Sequence, residues 1–523
     1  MLAHTKLAGW SRRAMDYGRK LLTSMPKSAS AHRLLFLLLL LASATVHAAP
    51  PNAPDLVLEG EVHSSQNKSY FEVPFSVPAG VHRLTVFFEN QGKDQRTVLD
   101  LGIADPVRFR GNSGGNKDHF TISETDATPS YLPGAILQGR WKLLVSVPNI
   151  RPGITSHYRA EVWFNRVLDD SSFTEHPLDD RPGWYRGDLH MHTAHSDGSC
   201  SSRSGKPVPC PVFVTIDAAA RRGLDFVAVT DHNTTSHYDA MRELQPYFDK
   251  TLLIPGRELT TFHGHANIFG ATRFVDYRLG SPEVPDVNAM FRSARDLGAI
   301  VSINHPEAPT GEVCMGCGWD AQPAADMALV TAIEVINGGG GQGFLPGVRF
   351  WEQQLQQGRR ITAIGGSDNH HGDWPLDRQG SIGSPTTVVY ARNLSVESIL
   401  AGIRAGHVFL DLTGSHSRLL EIHAAAGGST AEMGGDLEPG KAQTVSFSEH
   451  VAGCPGDSVR LLVDGQPSTS LPSAPIGSSD ETLHGAWQAD GARHWIRAEV
   501  RDAQGQLVLF GNPIYIGFSP ASH

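Results

Sequence analysis

The sequence predicts an α/β unit at the centre of the chain with an all-β module on each side. Residues 55–168 alternate apolar and polar side chains in short runs separated by Gly, Pro and Asn. Residues 184–412 alternate apolar strands with amphipathic helices, and the short-strand pattern returns over residues 415–523. Short alternating runs favour a β-sandwich, whereas alternating strands and helices are typical of a parallel sheet or barrel.

The first 48 residues have the pattern of a secretory signal peptide. Arg33 is followed by an apolar run over residues 34–42 and then by Val46-His47-Ala48, a small-residue cleavage pattern. The run is too short for a comfortable membrane span. We therefore expect an exported protein, periplasmic or secreted, without a stable span after cleavage; an uncleaved anchor is the alternative.

The charge of the chain limits its partners. The whole sequence holds 44 Lys and Arg against 54 Asp and Glu. Without the leader, 37 basic and 53 acidic residues remain, a formal charge of −16. Binding of a nucleic acid polymer depends on neutralising phosphates with basic side chains, so we expect a small-molecule substrate instead. The oligomeric state is left open by the sequence.

Five cysteines in an exported chain suggest disulfide bonds. Proximity in the sequence favours Cys200 with Cys210 and Cys314 with Cys317, which leaves Cys454 over. A zinc knuckle at Cys314 and Cys317 would need a second pair of ligands nearby, and the sequence offers none.

Short strands are predicted throughout the first module, and a linker rich in Asp and Pro follows it at Asp169–Gly183. In the central unit, four predicted helices each end before a glycine, and each is followed by an apolar strand. The helices are Val212–Arg222, Val287–Leu297, Val348–Gln357 and Val396–Ala405, and the strands are Val227–Val229, Ile300–Ile303, Ile361–Ile364 and Val408–Leu410. The last module is predicted to contain strands at Val459–Val463 and Trp495–Val500.

Metal-ligating side chains stand at the ends of five predicted strands. The motifs are Asp188-Leu189-His190-Met191-His192 with a trailing Ser196-Asp197-Gly198, Thr230-Asp231-His232, Gly256-Arg257-Glu258 with His263-Gly264-His265, Asn304-His305-Pro306, and Gly366-Ser367-Asp368-Asn369-His370. Strand periodicity points His190 and His192 to one face. Ends of parallel strands meet at one edge, where α/β barrels place their active sites. Each motif alone has a structural alternative, such as helix capping by Asp231 or a surface position for His263, but five together predict a metal site.

These ordered motifs resemble those of the PHP (polymerase and histidinol phosphatase) superfamily over residues 184–412, and the export signal and flanking modules resemble its carbaryl-hydrolase-like branch. The resemblance implies a distorted seven-stranded (β/α) barrel with two or three divalent metals. It assigns the ligands as three sets: His190, His192, Glu258 and Asp368; Glu258, His265 and His305; and Asp197, His232 and His370. Family members often have His where Asp197 stands, so the third site is expected to be weaker or empty.

The expected chemistry is hydrolysis by a water shared between two metals, with Glu258 as the bridging carboxylate and Asp368 as a ligand that also hydrogen-bonds the water as it loses its proton. Asp188, Asp231 and Asn304 are expected to support the ligands or to have simple structural roles. Zinc or manganese, and after them iron, suit a set of His and carboxylate ligands.

The expected substrate is a small phosphoester. A carbamate or carboxyl ester is the alternative, because the same site serves both reactions, and an inactive secreted binding protein is the alternative of another class. A phosphatase should also present a cation to the phosphate. The sequence offers Arg203, Lys206, Arg257 and Arg378 near the motifs, each of which has a solvated surface charge as its simpler interpretation.

Overall fold

The computed structural model describes residues 53–518, except positions 116, 166–170, 313, 340–343, 469 and 472. The predicted signal peptide and residues 169–170 of the predicted linker lie outside the described residues.

The first eight strands form two antiparallel sheets around a shared core. They are β1 (Leu56–His63), β2 (Ser69–Val77), β3 (Arg83–Asn90), β4 (Val98–Ala104), β5 (Phe109–Ser113), β6 (His119–Ser123), β7 (Gly139–Asn149) and β8 (Thr155–Phe164), with a short 3-10 helix at Ser64–Gln66. One sheet has the order β1-β8-β3-β6 and the other β2-β7-β4-β5. Val86 of the first sheet and Leu143 of the second belong to one buried hydrophobic cluster. The alternating pattern of the sequence follows from this arrangement, because each strand buries one face.

The central part of the chain alternates strands and helices. Its strands are β9 (Gly183–Asp188), β10 (Ser199–Ser201), β11 (Pro207–Pro209), β12 (Phe226–Val229), β13 (Leu252–Thr261), β14 (Gly264–Phe269), β15 (Ile300–Ile303), β16 (Ala332–Asn337), β17 (Leu345–Pro346), β18 (Thr362–Gly366), β19 (Thr386–Ala391) and β20 (Val408–Asp411). Its helices are α1 (Val212–Arg221), α2 (His237–Leu244), α3 (Val287–Asp296), α4 (Val348–Gln356) and α5 (Val396–Ala405), with a 3-10 helix at Met327–Leu329.

The central strands close into a barrel of mixed direction. Strand β12 is parallel to both β9 and β13, and β16 is parallel to both β15 and β18. Strand β14 is antiparallel to β13 and β15, and β19 is antiparallel to β9. Six strands therefore point their carboxyl ends the same way. A succession of seven regular β/α units is not confirmed, because β14 enters as a hairpin partner without a helix before it.

The four predicted helices begin at the predicted residues. Helix α3 starts after Asp286, whose side chain accepts a hydrogen bond from Ala289 N at 2.9 Å, and α5 starts after Ser395, which caps Ser398 N. Helix α5 ends at Gly406 with φ 73°, a conformation that glycine adopts without strain. The sequence did not predict α2. No helix among the described residues has the length and hydropathy needed to cross a membrane.

The last strands extend the central barrel and add a separate sheet. They are β21 (Leu419–Ala426), β22 (Ser429–Glu432), β23 (Asp436–Leu437), β24 (Thr444–Ala452), β25 (Ser458–Val463), β26 (Gln466–Pro467), β27 (Ala474–Pro475), β28 (Asp480–Gln488), β29 (His494–Arg501), β30 (Leu507–Gly511) and β31 (Ile514–Ile516). The separate sheet has the order β22-β21-β24-β28, whereas β30 pairs with β20. Hydrogen bonding thus crosses the predicted boundary near residue 414, and the division into three modules stays a prediction.

The cysteines agree with the predicted disulfides in part. Cys314 and Cys317 are bonded. Cys200 and Cys210 are buried and unbonded, so the pairing predicted for them from sequence proximity is not formed. Burial raises the pKa of the Cys210 thiol to about 12, and the neighbouring Cys200 side chain adds to this. Cys454 is buried and unbonded as well.

Candidate metal centre

One edge of the barrel, formed by the carboxyl ends of its parallel strands and the amino end of β14, gathers all nine residues that the sequence suggested as metal ligands. The position of each residue follows from the strand that precedes or holds it: His190, His192 and Asp197 come after β9, His232 after β12, Glu258 on β13, His265 on β14, His305 after β15, and Asp368 and His370 after β18. Because these strand ends share one edge of the barrel, residues up to 180 positions apart in the chain become neighbours.

The carboxylate of Glu258 lies at the centre of the group. It is fully buried, and a nitrogen of each of five histidines lies within 4 Å of one of its oxygens. The nitrogens are His232 Nδ1 at 2.7 Å, His265 Nδ1 at 3.2 Å, His190 Nε2 at 3.4 Å, His305 Nε2 at 3.5 Å and His192 Nε2 at 3.7 Å. A carboxylate surrounded in this way has the position that a bridging ligand requires.

Three groups of side chains place their ligand atoms within 4.8 Å of one another, among the residues that the structure describes. They are His190, His192 and Asp368; His190, Glu258 and His305; and His192, Asp197, His232 and His370. The grouping differs from the expected one in four respects. His190 joins the second group as well as the first, and His192 joins the third as well as the first. Glu258 belongs to the second group alone, and His265 contacts Glu258 without belonging to a compact group.

Buried polar atoms without hydrogen bonds provide a test of whether a cation fits. His190 Nε2, His265 Nε2 and Glu258 Oε2 are buried and form no hydrogen bond within the described residues. A buried polar atom without a partner costs about 1–3 kcal/mol. His190 Nε2 and Glu258 Oε2 face each other's carboxylate and imidazole partners in the group, whereas His265 contacts Glu258 through Nδ1. Imidazole and carboxylate are ligands for zinc, manganese and iron. The residues present therefore fit a divalent metal.

The electrostatics of the group also favour a cation. Burial alone would raise the pKa of Glu258, but the surrounding histidines, His232 first, hold it well below its usual range. The pKa of Asp368 is held well below its usual range in the same way, chiefly by His190. The carboxylates are therefore ionised although they are buried. Without metal their charge is balanced by protonated imidazoles, and a divalent ion supplies the same balance.

The histidines differ in pKa, and therefore in how much positive charge each contributes against the carboxylates. Burial lowers the pKa of His190, but three carboxylates, Asp368 first, raise it well above its ordinary value. Burial lowers the pKa of His192 to about 4, and the neighbouring His370 adds to this. The pKa of His370 itself rises to about 9 because Asp197 and Asp368 outweigh its burial. The surroundings of His192 therefore favour its neutral form, the form in which imidazole binds a metal.

Glu334 is a buried residue of the site that sequence reasoning missed. It lies on β16, and its Oε1 is 3.0 Å from His190 Nδ1. Its Oε2 accepts hydrogen bonds from His305 N at 3.1 Å and from Asn337 Nδ2 at 2.9 Å. A carboxylate on Nδ1 of a ligand histidine fixes the tautomer that leaves Nε2 free for metal. The sequence feature that could have identified Glu334 is an acidic residue inside the otherwise apolar strand Ala332–Asn337.

The residues expected to support the ligands do so in different ways. Asn304 Nδ2 donates to Glu258 Oε1 at 2.9 Å, directly at the centre of the group. Asp188 accepts hydrogen bonds from the backbone N–H groups of His190 and Ser367 at 3.1 and 3.0 Å, which joins the ends of β9 and β18. Asp231 accepts from Thr193 and from Ser196 Oγ, at 2.6 Å for the latter, which fixes the turn before Asp197.

Backbone strain occurs at two of the candidate ligands. Asp368 has φ 51° and His305 has φ 24°, in the region that side chains other than glycine rarely adopt. Such conformations cost about 1–3 kcal/mol each and persist where the surroundings impose them. Asp368 N donates to His190 O at 2.8 Å, and His305 N donates to Glu334, so neighbouring residues of the site hold both conformations in place.

The four cations suggested for phosphate binding lie in different surroundings. Arg257 is fully buried, donates from Nη2 to Arg273 O at 3.0 Å and stands over the ring of Phe274, on the face of β13 opposite Glu258. Arg378 is exposed and stacks on Trp374, 3.5 Å from the ring centre. Arg203 and Lys206 are exposed in the turn between β10 and β11.

Replacing Glu334 by glutamine is expected to weaken metal binding by about 10–100-fold, the loss typical of removing the partner of a ligand histidine. The glutamine keeps the size of the side chain but accepts a weaker hydrogen bond from His190 Nδ1, because it has no negative charge. Metal affinity is measured by competition with a chromogenic chelator. Glu449→Gln is the matched control, since Glu449 is also buried but lies on β24. Equal affinity in wild type and Glu334→Gln would contradict the role given to Glu334.

Comparison with known proteins adds little to this geometry. No family model and no curated protein matches the chain. Among solved structures, a two-domain protein from Bacteroides vulgatus containing a predicted PHP-like metal-dependent phosphoesterase is similar, with 18% identity over 64% of this chain and 95% of that one and a TM-score of 0.36. A CARDB domain from Pyrococcus furiosus has 12% identity over 18% of this chain and 95% of its own, with a TM-score of 0.12. At these scores neither similarity carries an argument about function.

Proposed function

We propose that this protein is a metal-dependent hydrolase of the PHP type that cleaves small phosphoesters. The observation that carries the proposal is the buried Glu258 carboxylate with a nitrogen of each of five histidines within 4 Å. Glu258 Oε2 and the Nε2 atoms of His190 and His265 are buried and form no hydrogen bond within the described residues. Two divalent cations in such a site supply Lewis-acid activation of a water and of the ester. Zinc or manganese, with iron after them, are the metals proposed.

The residues of the chain would hold these cations in the following way. Glu258, held by Asn304, would bridge two cations, and His190 and His305 would complete their coordination. The third group, with Asp197 58% exposed, would hold a weaker cation near solvent. The barrel provides the frame for these residues, and we propose that it is a distorted seven-stranded (β/α) barrel.

Asp368 is the residue best placed to accept a proton. Its side chain is 18% exposed, whereas that of Glu258 is 1% exposed, so it faces the open side of the group. One oxygen lies 3.1 Å from His192 Nε2, and the other accepts from Asn337 Nδ2 at 3.3 Å. With its orientation fixed from both sides, Asp368 can take the proton of the attacking water at a carboxylate oxygen.

A carbamate or carboxyl ester is the second candidate substrate, and one observation favours it. The buried Arg257 points away from the group, and Arg378 is stacked on Trp374, so neither is arranged as a clamp for a phosphate. A neutral ester needs no such cation. The phosphoester remains the primary proposal because the metals themselves neutralise phosphate oxygens.

One experiment ranks the substrate classes. Protein from about Ala49 onward is loaded with zinc or manganese and given a phosphomonoester, a phosphodiester, a carboxyl ester and a carbamate that share one aryl leaving group. We expect the phosphomonoester to be cleaved fastest, with activity lost in Asp368→Asn. Faster cleavage of the carbamate or carboxyl ester would overturn the substrate class. No cleavage of any substrate by fully metal-loaded protein would favour a binding protein without activity.

We further propose that the protein is exported. The leader pattern motivates this, and the Cys314–Cys317 disulfide supports it because such bonds persist in oxidising compartments.

A further inference from the structure

Two large apolar side chains stand in solvent beside the candidate metal centre. Phe262 is 85% exposed and Met315 is 76% exposed, and both are among the four most exposed large apolar residues that the structure describes. Single exposed apolar residues are common and need no explanation. Phe262 and Met315, however, come from different segments of the chain and lie on turns that touch each other.

The contact between the two turns is close and rigid. Phe262 is in the turn between β13 and β14, and Met315 lies inside the loop closed by the Cys314–Cys317 disulfide. A Cβ atom added to Gly316 would lie 2.2 Å from Thr261 O and 2.9 Å from Phe262 Cα, so only glycine permits this approach. Asp320 N also donates to His263 O at 3.1 Å. The two side chains are therefore presented together on a fixed backbone.

Both turns are attached to the metal centre. Thr260, two residues before Phe262, places its Oγ1 2.6 Å from His232 Nδ1, and His265 follows three residues after Phe262. On the other turn, the carbonyl oxygen of Cys317 accepts a hydrogen bond from His305 Nδ1 at 3.1 Å. Phe262 and Met315 thus stand at the rim of the group around Glu258.

We propose that Phe262 and Met315 form an apolar lip that binds the apolar part of the substrate while its ester group lies at the metals. The lip determines specificity and takes no part in the reaction itself. This inference rests on the proposed hydrolase function and adds that the substrate carries an aryl or alkyl group. An aromatic ring paired with a flexible, polarisable Met suits an apolar ligand of variable shape.

The test compares ligands that differ only in the apolar group. Phenylphosphonate and methylphosphonate are titrated into metal-loaded protein by calorimetry. We expect the phenyl compound to bind about tenfold more tightly, as partial burial of a ring against two side chains predicts. In Phe262→Ala/Met315→Ala the ratio should fall to about one while methylphosphonate binding stays unchanged. Tyr70→Ala, at a residue 83% exposed on β2, is the matched control and should keep the wild-type ratio.

The outcomes separate the lip from the proposed function. Equal phenyl-to-methyl ratios in wild type and the double variant would overturn the lip while leaving the hydrolase intact. If neither phosphonate binds, the proposed phosphoesterase function is contradicted. The lip is then tested separately by the binding of 2-naphthol, which is measured from the change in naphthol fluorescence. Naphthol binding lost only in the double variant supports the lip. If naphthol does not bind, the lip binds no apolar ligand and the proposal is overturned. If the wild-type protein sediments with phosphatidylcholine vesicles and the double variant does not, the two side chains contact a membrane instead, which also overturns it.

Discussion

Replacing Glu258 by alanine is expected to abolish stable metal binding and to lower hydrolytic turnover by more than about 100-fold. Removing a residue that only hydrogen-bonds a metal ligand already costs up to about 100-fold, and Glu258 is proposed as a ligand itself. The five histidines around Glu258 lose the carboxylate that holds them together. Asp368→Ala is expected to act in the same direction, because its oxygen lies within 3.2 Å of the Nε2 atoms of His190 and His192.

The flanking modules should stay folded when Glu258 is lost. The residues of the first two sheets form their own hydrophobic cluster, separate from the cluster of the barrel. Glu258→Gln keeps the shape of the side chain and removes its charge, which separates the loss of a ligand from the loss of volume. Glu243→Ala, an exposed position on α2, is the matched control.

Metal content is measured by elemental analysis after reconstitution, together with turnover on the best substrate of the panel. Two or more metal ions per chain are expected in wild type and in Glu243→Ala, and fewer than one in Glu258→Ala. Full metal content and unchanged turnover in both Glu258→Ala and Asp368→Ala would show that the group around Glu258 is not the active centre.

The second large effect is expected on stability, at the buried carboxylate of Asp126. This residue follows β6, is fully buried, and lies 2.9 Å from Arg83 Nη2 on β3. It also accepts a hydrogen bond from Arg242 on α2. The three side chains thus connect the sheet that contains β3 and β6 with helix α2 of the central part of the chain. Removing one partner of such a buried group leaves charges uncompensated, and Asp126→Asn is expected to cost about 3–5 kcal/mol.

The pH dependence of this contribution has a definite sign. Burial alone would raise the pKa of Asp126, but Arg242 and Arg83 lower it far below the unfolded value. A carboxyl whose folded pKa is lowered contributes stability above its unfolded pKa, about 3.9, and loses it as the pH falls further. The stability difference between wild type and Asp126→Asn should therefore be largest near neutral pH and shrink progressively below about pH 4.

Urea unfolding followed by circular dichroism at several pH values measures this difference. Asp179→Asn serves as the control, because its partner Arg181 is 85% exposed and such surface pairs contribute little to stability. An Asp126→Asn protein as stable as the Asp179→Asn protein at pH 7 would contradict the role assigned to the buried cluster.

The sequence alone determined the local elements and the positions of the candidate ligands. The helices at Val212, Val287, Val348 and Val396 begin where predicted, because apolar periodicity, caps and terminal glycines act within a few residues of the chain. The ligands were predictable for a related reason. An acid or imidazole directly after a buried strand is a local signal, and parallel strands bring such ends to one edge.

Only the tertiary structure decided which of these side chains lie together in each ligand group and which residues surround them. The contact of Glu334 with His190, the membership of His192 in two groups and the outward direction of Arg257 depend on residues far apart in the sequence. Proximity in the chain favoured a Cys200–Cys210 bond, yet the fold leaves both thiols free. Phe262 and Met315 meet because Gly316 lets two turns touch, a steric condition that no periodic pattern in the sequence expresses.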